Sequence, residues 1–406
     1  MLVIDYRILL NLVSFIWVFF WGLNFLGQSL QLNMLGIIPV LLLLLYIKKT
    51  TWEYIKKVTL IFCFTSLYTI IISEHKLLSQ PELLNLCFSP IVFFTVGYYL
   101  VILNKHDSHS KLITKFLLLI AISYFLYGAL NFTYQLLILK KSIVTRELVD
   151  IWGNIFITNT NQGSKFTLMG GLLPWIIVNR KPLRFKIIFM TLSLISLGAT
   201  IALGNRTLLL IVLFNMILIS IYFSKQRYNN RGNNFLKRYI IIVLLLVIVL
   251  QLNIFRIKDI YQESLLYKRS QLKSYDSIIE NSRFHAWGKA FLGIFENPMG
   301  GYKTDIGLNY AHNLWLDIGY AAGLIPFILF VLITLVFMMD MRKIIKSRLD
   351  LDTKVLIYTV SISLVLNFMV EPIIEGYFNL FLTFFILLGI ITAYRTQMRN
   401  VQLTGG

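Results

Sequence analysis

Cysteine is nearly missing from this chain. Of 406 residues only Cys63 and Cys87 carry a thiol, and both lie inside apolar runs. A disulfide framework and a CxxC redox or zinc motif are thereby excluded, and each thiol reads as a small hydrophobe. Charge is scarce too: 14% of residues are charged and 57% hydrophobic, whereas a soluble domain carries roughly a quarter charged residues. Histidine occurs five times. The one pair at ligand spacing, His106 and His109 around Asp107, has no third clear ligand, so no metal site is expected. Acidic residues number 19 against 38 basic, a net charge of +19. In a soluble protein that excess would suggest nucleic acid. Here the Lys and Arg residues sit in short clusters between apolar runs and no basic domain stands clear, so nucleic-acid binding is not expected. Internal repeats and low-complexity tracts are also missing.

What fills the chain instead is a series of apolar runs near 20 residues long, with a mean hydropathy of +0.73. The class is an all-α polytopic membrane protein, a single integral membrane domain over residues 1–406. Twelve spans are expected, at about 8–26, 29–47, 58–73, 83–103, 115–139, 166–178, 186–203, 207–223, 239–255, 313–339, 355–370 and 377–394. The sixth is the weakest, being short and holding Gly170, Gly171 and Pro174. The first apolar run, with Trp17 and Trp21, is followed by no small-x-small cleavage site and reads as a retained helix. With the N-terminus inside, most basic residues fall on cytoplasmic segments, and the short outer loops hold only Lys76 and Arg206. The positive-inside rule therefore places both termini in the cytoplasm of a cell whose inner membrane the chain spans. The turn-rich stretch from Lys225 to Asn234 reads as a solvated cytoplasmic loop near anionic headgroups. Residues 256–311 form one large outer loop.

Ionisable residues at span edges are the first functional suspects in such a protein. Arg206 sits in Gly204-Asn205-Arg206-Thr207, a hairpin too short to lift it far from the outer interface. It is suited to a phosphate, either of a substrate or of a lipid on which it snorkels. Arg283 opens a short helix of about 282–296 in which Phe284, Trp287, Phe291 and Phe295 form an apolar stripe. That helix either lies along the membrane surface or caps the bundle, and its Arg meets a substrate or headgroups. Asn297-Pro298 stops it and Gly300-Gly301 turns the chain back. His312 and Asn313 open the tenth span. An imidazole there is a candidate general base, or a satisfied interfacial residue. His285 and His75 have less claim. Glu371 and Glu375, around Pro372, could orient an Arg, bind a sugar or cap a turn.

Two cations and a base on one membrane face suit a lipid-linked phosphate substrate. The cations favour departure of a diphosphate while the base takes a proton from an attacking hydroxyl, and two arginines replace a metal.

The chain resembles the superfamily of O-antigen ligases and Wzy-type polysaccharide polymerases. The matching pieces are Gly204-Asn205-Arg206-Thr207; Ser282-Arg283-x-x-x-Trp287 with Asn297-Pro298-x-Gly300-Gly301; and Ala311-His312-Asn313-Leu314-Trp315-Leu316 with Gly319 and Gly323 after it. They cover about residues 195–340; the N-terminal half matches in hydropathy alone. The resemblance implies a GT-C-like fold and a metal-independent, inverting glycosyltransferase without a cofactor, whose donor is a glycan on undecaprenyl diphosphate. It implies that Arg206 and Arg283 bind the diphosphate, that His312 is the base, and that Asn313 and Trp287 support them; Glu371 matches no motif and is added as a supporting residue. A second lipid-linked repeat unit as acceptor makes the protein an O-antigen or capsule (exopolysaccharide) polymerase, the preferred reading. Lipid A–core or another hydroxyl as acceptor makes it a ligase. A flippase or other transporter remains the reading from a different class, and a chain-length regulator and a flippase are the expected protein partners.

Overall fold

In the hydrocarbon of a bilayer the backbone has no partner but itself, so apolar runs of this length must fold as helices. The computed structural model describes residues 6–46, 51–104, 109–140, 147–153, 156–225, 283–347 and 349–404, with isolated positions 262 and 267. The expected ninth span, most of the outer loop before Arg283, and His106 lie outside the described residues. The helices are α1 (Tyr6–Gly22), α2 (Ser29–Leu35), α3 (Ile37–Tyr46), α4 (Trp52–His75), α5 (Gln80–Ile102), α6 (His109–Thr133), α7 (Asn159–Gly171) and α8 (Leu173–Val178). They continue with α9 (Leu183–Ala202), α10 (Thr207–Lys225), α11 (Arg283–Glu296), α12 (Leu314–Ala322), α13 (Leu324–Lys346), α14 (Leu351–Val370), α15 (Ile373–Gly376) and α16 (Phe378–Thr404).

Among the described residues seven helices are long and apolar enough to cross a membrane: Trp52–His75, Gln80–Ile102, Ser110–Ile138, Leu183–Ala202, Leu324–Lys346, Leu351–Val370 and Phe378–Gln397. Shorter apolar helices cover Ile8–Gly22, Ser29–Leu41 and Thr207–Tyr222. The chain is a helical membrane protein. Three expected spans look different in detail. The second is split at Gly36 into α2 and α3. The sixth is split into α7 and α8, with Leu172 between them and Pro174 in the first turn of the second. The tenth is broken at Gly323, whose φ of 83° no helix tolerates, so the span proper starts at Leu324 and α12 precedes it.

The described helices form two compact units. The first gathers α1–α5, the start of α6, α11–α13, and α15–α16. Thr51 begins α4, its Oγ1 accepting from the Tyr54 N–H at 3.3 Å, and the Glu82 carboxylate begins α5, accepting from the Ser79 N–H at 2.7 Å. The short connection between them makes the pair antiparallel. In the span of α16, 89% of residues are buried, against 39% in that of α13, so α16 is the hub of this unit. It packs on α5 backbone to backbone. A Cβ at Gly97 would lie 2.1 Å from the Ile386 oxygen, and one at Gly389 the same distance from the Phe94 oxygen. Small residues at such crossings let helices approach where no hydrophobic effect drives them together. Around the hub Phe64, Phe330, Phe337, Phe368, Phe381 and Phe384 make a chain of tilted and edge-on ring contacts.

The second unit holds the rest of α6, a hairpin of β1 (Glu147–Val149) and β2 (Phe156–Thr158), α7–α10 and most of α14. The strands are antiparallel with Leu148 opposite Ile157. This small sheet was not expected from an all-helical reading; three-residue strands leave too short a pattern to detect. Polar side chains bind the helices together: Asn215 Nδ2 donates to the Gly171 oxygen at 3.2 Å and to Ser363 Oγ at 2.9 Å, and Asn367 Nδ2 to Thr167 Oγ1 at 2.8 Å.

Candidate functional site

Where α11, α12 and the Glu371–Glu375 turn meet, the first unit holds left-handed backbone and, at His312 Nδ1, a buried polar atom without a hydrogen-bond partner among the described residues. Construction starts at Asn297-Pro298-Met299-Gly300-Gly301. Gly300 and Gly301 have φ of 69° and 85°, which permits a reversal that brings this turn against the α12–α13 break. Leu324 N–H donates to the Pro298 oxygen at 2.9 Å and Gly301 N–H to the Ala321 oxygen at 2.9 Å. The contact is main chain on main chain: a Cβ on Gly323 would stand 2.0 Å from the Pro298 oxygen. Glycine is required here by both φ and space. Behind it, α11 packs on α12 through Ile294, whose side chain occupies the room left by Gly319.

The buried face of α11 is the small one, Ala286, Ala290, Gly293 and Ile294. The expected aromatic stripe is divided: Phe284, Phe291 and Phe295 are exposed, while Trp287 turns inward. Its Nε1 donates to the Ala311 oxygen at 2.7 Å. Trp287 thus supports the His312 turn from beneath.

His312 has φ of 57°, in the left-handed region, a conformation that costs a non-glycine residue roughly 1–3 kcal/mol. Tyr302, with φ of 57°, lies in the same region. The turn is fixed on both sides of His312. Asn313 caps α12, its Oδ1 accepting from the Leu316 N–H at 3.3 Å, and its Nδ2 reaches the Met369 oxygen at 3.4 Å. Asp317 Oδ1 accepts from the Ala311 N–H at 2.7 Å and Oδ2 from the Asn313 N–H at 3.2 Å. The imidazole itself is half-buried, and its buried Nδ1 has no hydrogen-bond partner among the described residues. Burial, and then the charge of Arg283, lower its pKa to about 4, so it is neutral at pH 7. Asp317 moves the other way: burial raises it to about 7, against the lowering effect of its backbone donors, and Glu375 adds to the rise. Both groups precede the span that begins at Leu324.

Arg283 is exposed, yet it is not idle. Its NH1 donates to the Val370 oxygen at 2.6 Å and NH2 lies 4.0 Å from Oε2 of Glu371, a carboxylate only 3% exposed as a residue. Glu371 Oε2 thus stands at ion-pair distance from the arginine without a hydrogen bond from it. Glu375 pairs with Lys76 at 2.5 Å and accepts from the Tyr302 hydroxyl at 3.4 Å. At Asp317 and Glu375 a cleft of about 10 Å³, roomy enough for one water, is lined by Tyr68, Tyr302, Tyr310 and Pro372 among others; His312 is not part of its lining. His75 packs its ring against Gly301 rather than facing the cleft, and His285 is exposed on α11.

Arg206 belongs to the second unit. Gly204, with φ of 68°, ends α9; the Asn205 N–H closes back on the Thr200 oxygen at 2.9 Å, and Asn205 Oδ1 accepts from the Thr207 N–H at 2.8 Å to begin α10. The Asn205 side chain also fills the space beside Gly163 of α7. Gly204 and Asn205 are thus explained by geometry alone, and Arg206 is left exposed at the turn. The same unit contains a buried lysine that drew no attention in the sequence. Lys165 Nζ lies 3.8 Å from the Tyr127 ring centroid and donates to Gln162 Oε1 at 3.0 Å, while Tyr127 donates to Asp150 at 2.7 Å. Its place at the edge of an apolar run was the available signal.

Sequence reasoning also missed Asp317, although it directly follows the quoted motif. An acid in the first turn of a helix reads as a dipole partner, and nothing in the spacing says that it reaches back to the turn before. No group of three or more metal-ligating side chains occurs among the described residues. Neither protein-family models nor curated proteins contain a match to the chain.

Proposed function

We propose that the protein is a membrane glycosyltransferase of the polysaccharide-polymerase kind, acting on the outer face of the cytoplasmic membrane with both termini inside. In this reading an acceptor hydroxyl attacks the anomeric carbon of a glycan held on undecaprenyl diphosphate. The new C–O bond forms as the bond to the diphosphate breaks, the electron pair leaves with the phosphate, and His312 takes the hydroxyl proton. Arg283 holds the departing diphosphate, and Arg206 is the second cation that the sequence resemblance assigns to that anion. Trp287, Asn313 and Glu371 position these groups. Twelve spans and a GT-C-like arrangement belong to the same reading.

The observation that carries it is His312, held left-handed with a buried ring nitrogen that has no hydrogen-bond partner among the described residues. Backbone strain concentrates at sites where the surrounding structure imposes it. Arg283 depresses the basicity of that imidazole. Burial remains the larger cause of that depression, and a bound diphosphate that neutralises Arg283 would relieve only the arginine's share of it.

The test is chain growth by purified protein in lipid nanodiscs given lipid-linked repeat units alone. A ladder of products means polymerase. Product that appears only on adding lipid A–core or another hydroxyl acceptor means ligase, and movement of the substrate across liposomes without growth means transporter. His312→Ala is expected to insert normally and to make no polymer; polymer of ordinary length and amount from this variant removes His312 from the mechanism.

A further inference from the structure

His312 holds a costly conformation, and the atoms that impose it can be named. In the turn before α12, backbone N–H groups on either side of a left-handed residue point toward one place, the arrangement called a nest, which binds anions. The anion in it is the protein's own. Asp317, on the first turn of α12, spans the turn with one oxygen on the Ala311 N–H at 2.7 Å and the other on the Asn313 N–H at 3.2 Å. We propose that Asp317 is a positioning residue: its ionised carboxylate, seated in the Ala311–Asn313 nest, holds His312 left-handed, and protonation of that carboxylate releases the turn.

A carboxylate has acceptor lone pairs for all the turn's donors, the Ala311 and Asn313 N–H groups and that of His312 between them. A carboxylic acid turns one of its oxygens into a donor, which then faces an N–H and repels it. An amide in the same place does likewise, so Asp317→Asn copies the released state with almost no change in volume. Burial, and then the charge of Glu375, keep the carboxyl from ionising easily, and the titratable groups that face it can be named. Glu375 reaches it from the turn before α16, Tyr68 from α4, and Tyr302 and Tyr310 from the segment after α11. Arg283 acts on neighbouring His312, and Lys76 is held by Glu375. With burial dominant, Asp317 titrates near neutrality instead of near 4. The sign is fixed: an acid whose folded pKa is raised stabilises the folded protein least when ionised, so global stability falls as pH rises from about 4 to about 7. Over the same interval the nest becomes occupied by an anion and the turn is ordered. Local order and global stability therefore move in opposite directions with pH, which an ordinary structural carboxylate would not do.

Two measurements separate this latch from the proposed chemistry. Amide exchange over residues 311–313, corrected for intrinsic rates and recorded without substrate in nanodiscs, needs no assumption about function. Protection in the wild type is expected to rise about tenfold between pH 6 and pH 8, and in Asp317→Asn to stay at its low value throughout. Corrected exchange that is constant with pH in the wild type overturns the latch, even if the variant fails to fold. The consequence for chemistry rests on His312 being the base: kcat/KM for chain growth should show an acid limb near pH 7 that vanishes in Asp317→Asn. An acid limb near pH 4, where His312 itself titrates, shows that the turn's order does not control the reaction and overturns that part. If the wild type makes no polymer at any pH, the function fails while the exchange data still decide the latch.

Discussion

The first unit carries charged residues at both ends of its helices, and the two ends are built on opposite plans. At one end Asp340, 1% exposed, accepts from Lys57 at 2.9 Å and from Arg395 at 2.7 Å, and Arg395 also lies 3.9 Å from Glu53. Three helices, α4, α13 and α16, are joined through one carboxylate. At the other end a histidine sits in a strained conformation with a buried nitrogen unpaired among the described residues, an arginine reaches a carboxylate only loosely, and a small cleft is present at Asp317 and Glu375. A buried ion cluster whose members satisfy one another holds helices in register. A site has to leave something unsatisfied for a substrate to complete. Charge at a helix end does not distinguish the two; the bookkeeping of partners does.

The contrast can be attacked from both sides. The largest effect is expected at the closed end. Asp340→Ala leaves two cations without their shared carboxylate, a loss of about 3–5 kcal/mol. Thermal unfolding of the purified protein would show it as a collapse in yield of monodisperse material or a much lower midpoint, and an unchanged midpoint would remove this cluster from the scaffold. A smaller effect of the opposite sign is expected at the open end. His312→Gly relieves a left-handed residue at the expense of unfolded-state entropy, a net gain of up to about 1 kcal/mol, with chain growth lost. Equal stability losses in His312→Gly and Asp340→Ala would erase the distinction between the ends. The smallest change is expected for Glu375→Gln, which breaks the partly exposed pair with Lys76. Such pairs are worth about 0–1 kcal/mol, and a shift in unfolding midpoint beyond that would make the pair part of the scaffold.

Much of the helical architecture was legible because apolar runs of fixed length leave little choice. The reasons for individual residues were less so. Lys57 reads as one more positive-inside charge, yet it lies within α4 and pairs with Asp340, 283 positions away. Both are charged residues within or at the edge of apolar helices, and that mutual anomaly was the only clue. The Asn297-Pro298 stop and the Gly300-Gly301 reversal were readable from their own chemistry. Their purpose was not, because the partner is the bare backbone at Gly323 and a main-chain contact leaves no side-chain pattern. Arg283, Trp287, His312, Asn313 and Glu371 come together in one unit as a list of residues could not show. Asp317 was hidden by a commoner explanation for an acid at that position. The aromatic stripe of α11 is divided, Phe284, Phe291 and Phe295 being exposed while Trp287 joins Ala286 and Ala290 on the inward side.

The Pro298–Gly323 contact has a further consequence. Main-chain atoms make it, so it is indifferent to the side chains around it. Met299 on the same turn is 59% exposed and Lys303 points outward as well. Such positions are free to drift between related proteins while the reversal beneath them stays the same. Substitution at such positions leaves the frame unchanged, whereas Gly300, Gly301 and Gly323 are held to glycine by their positive φ.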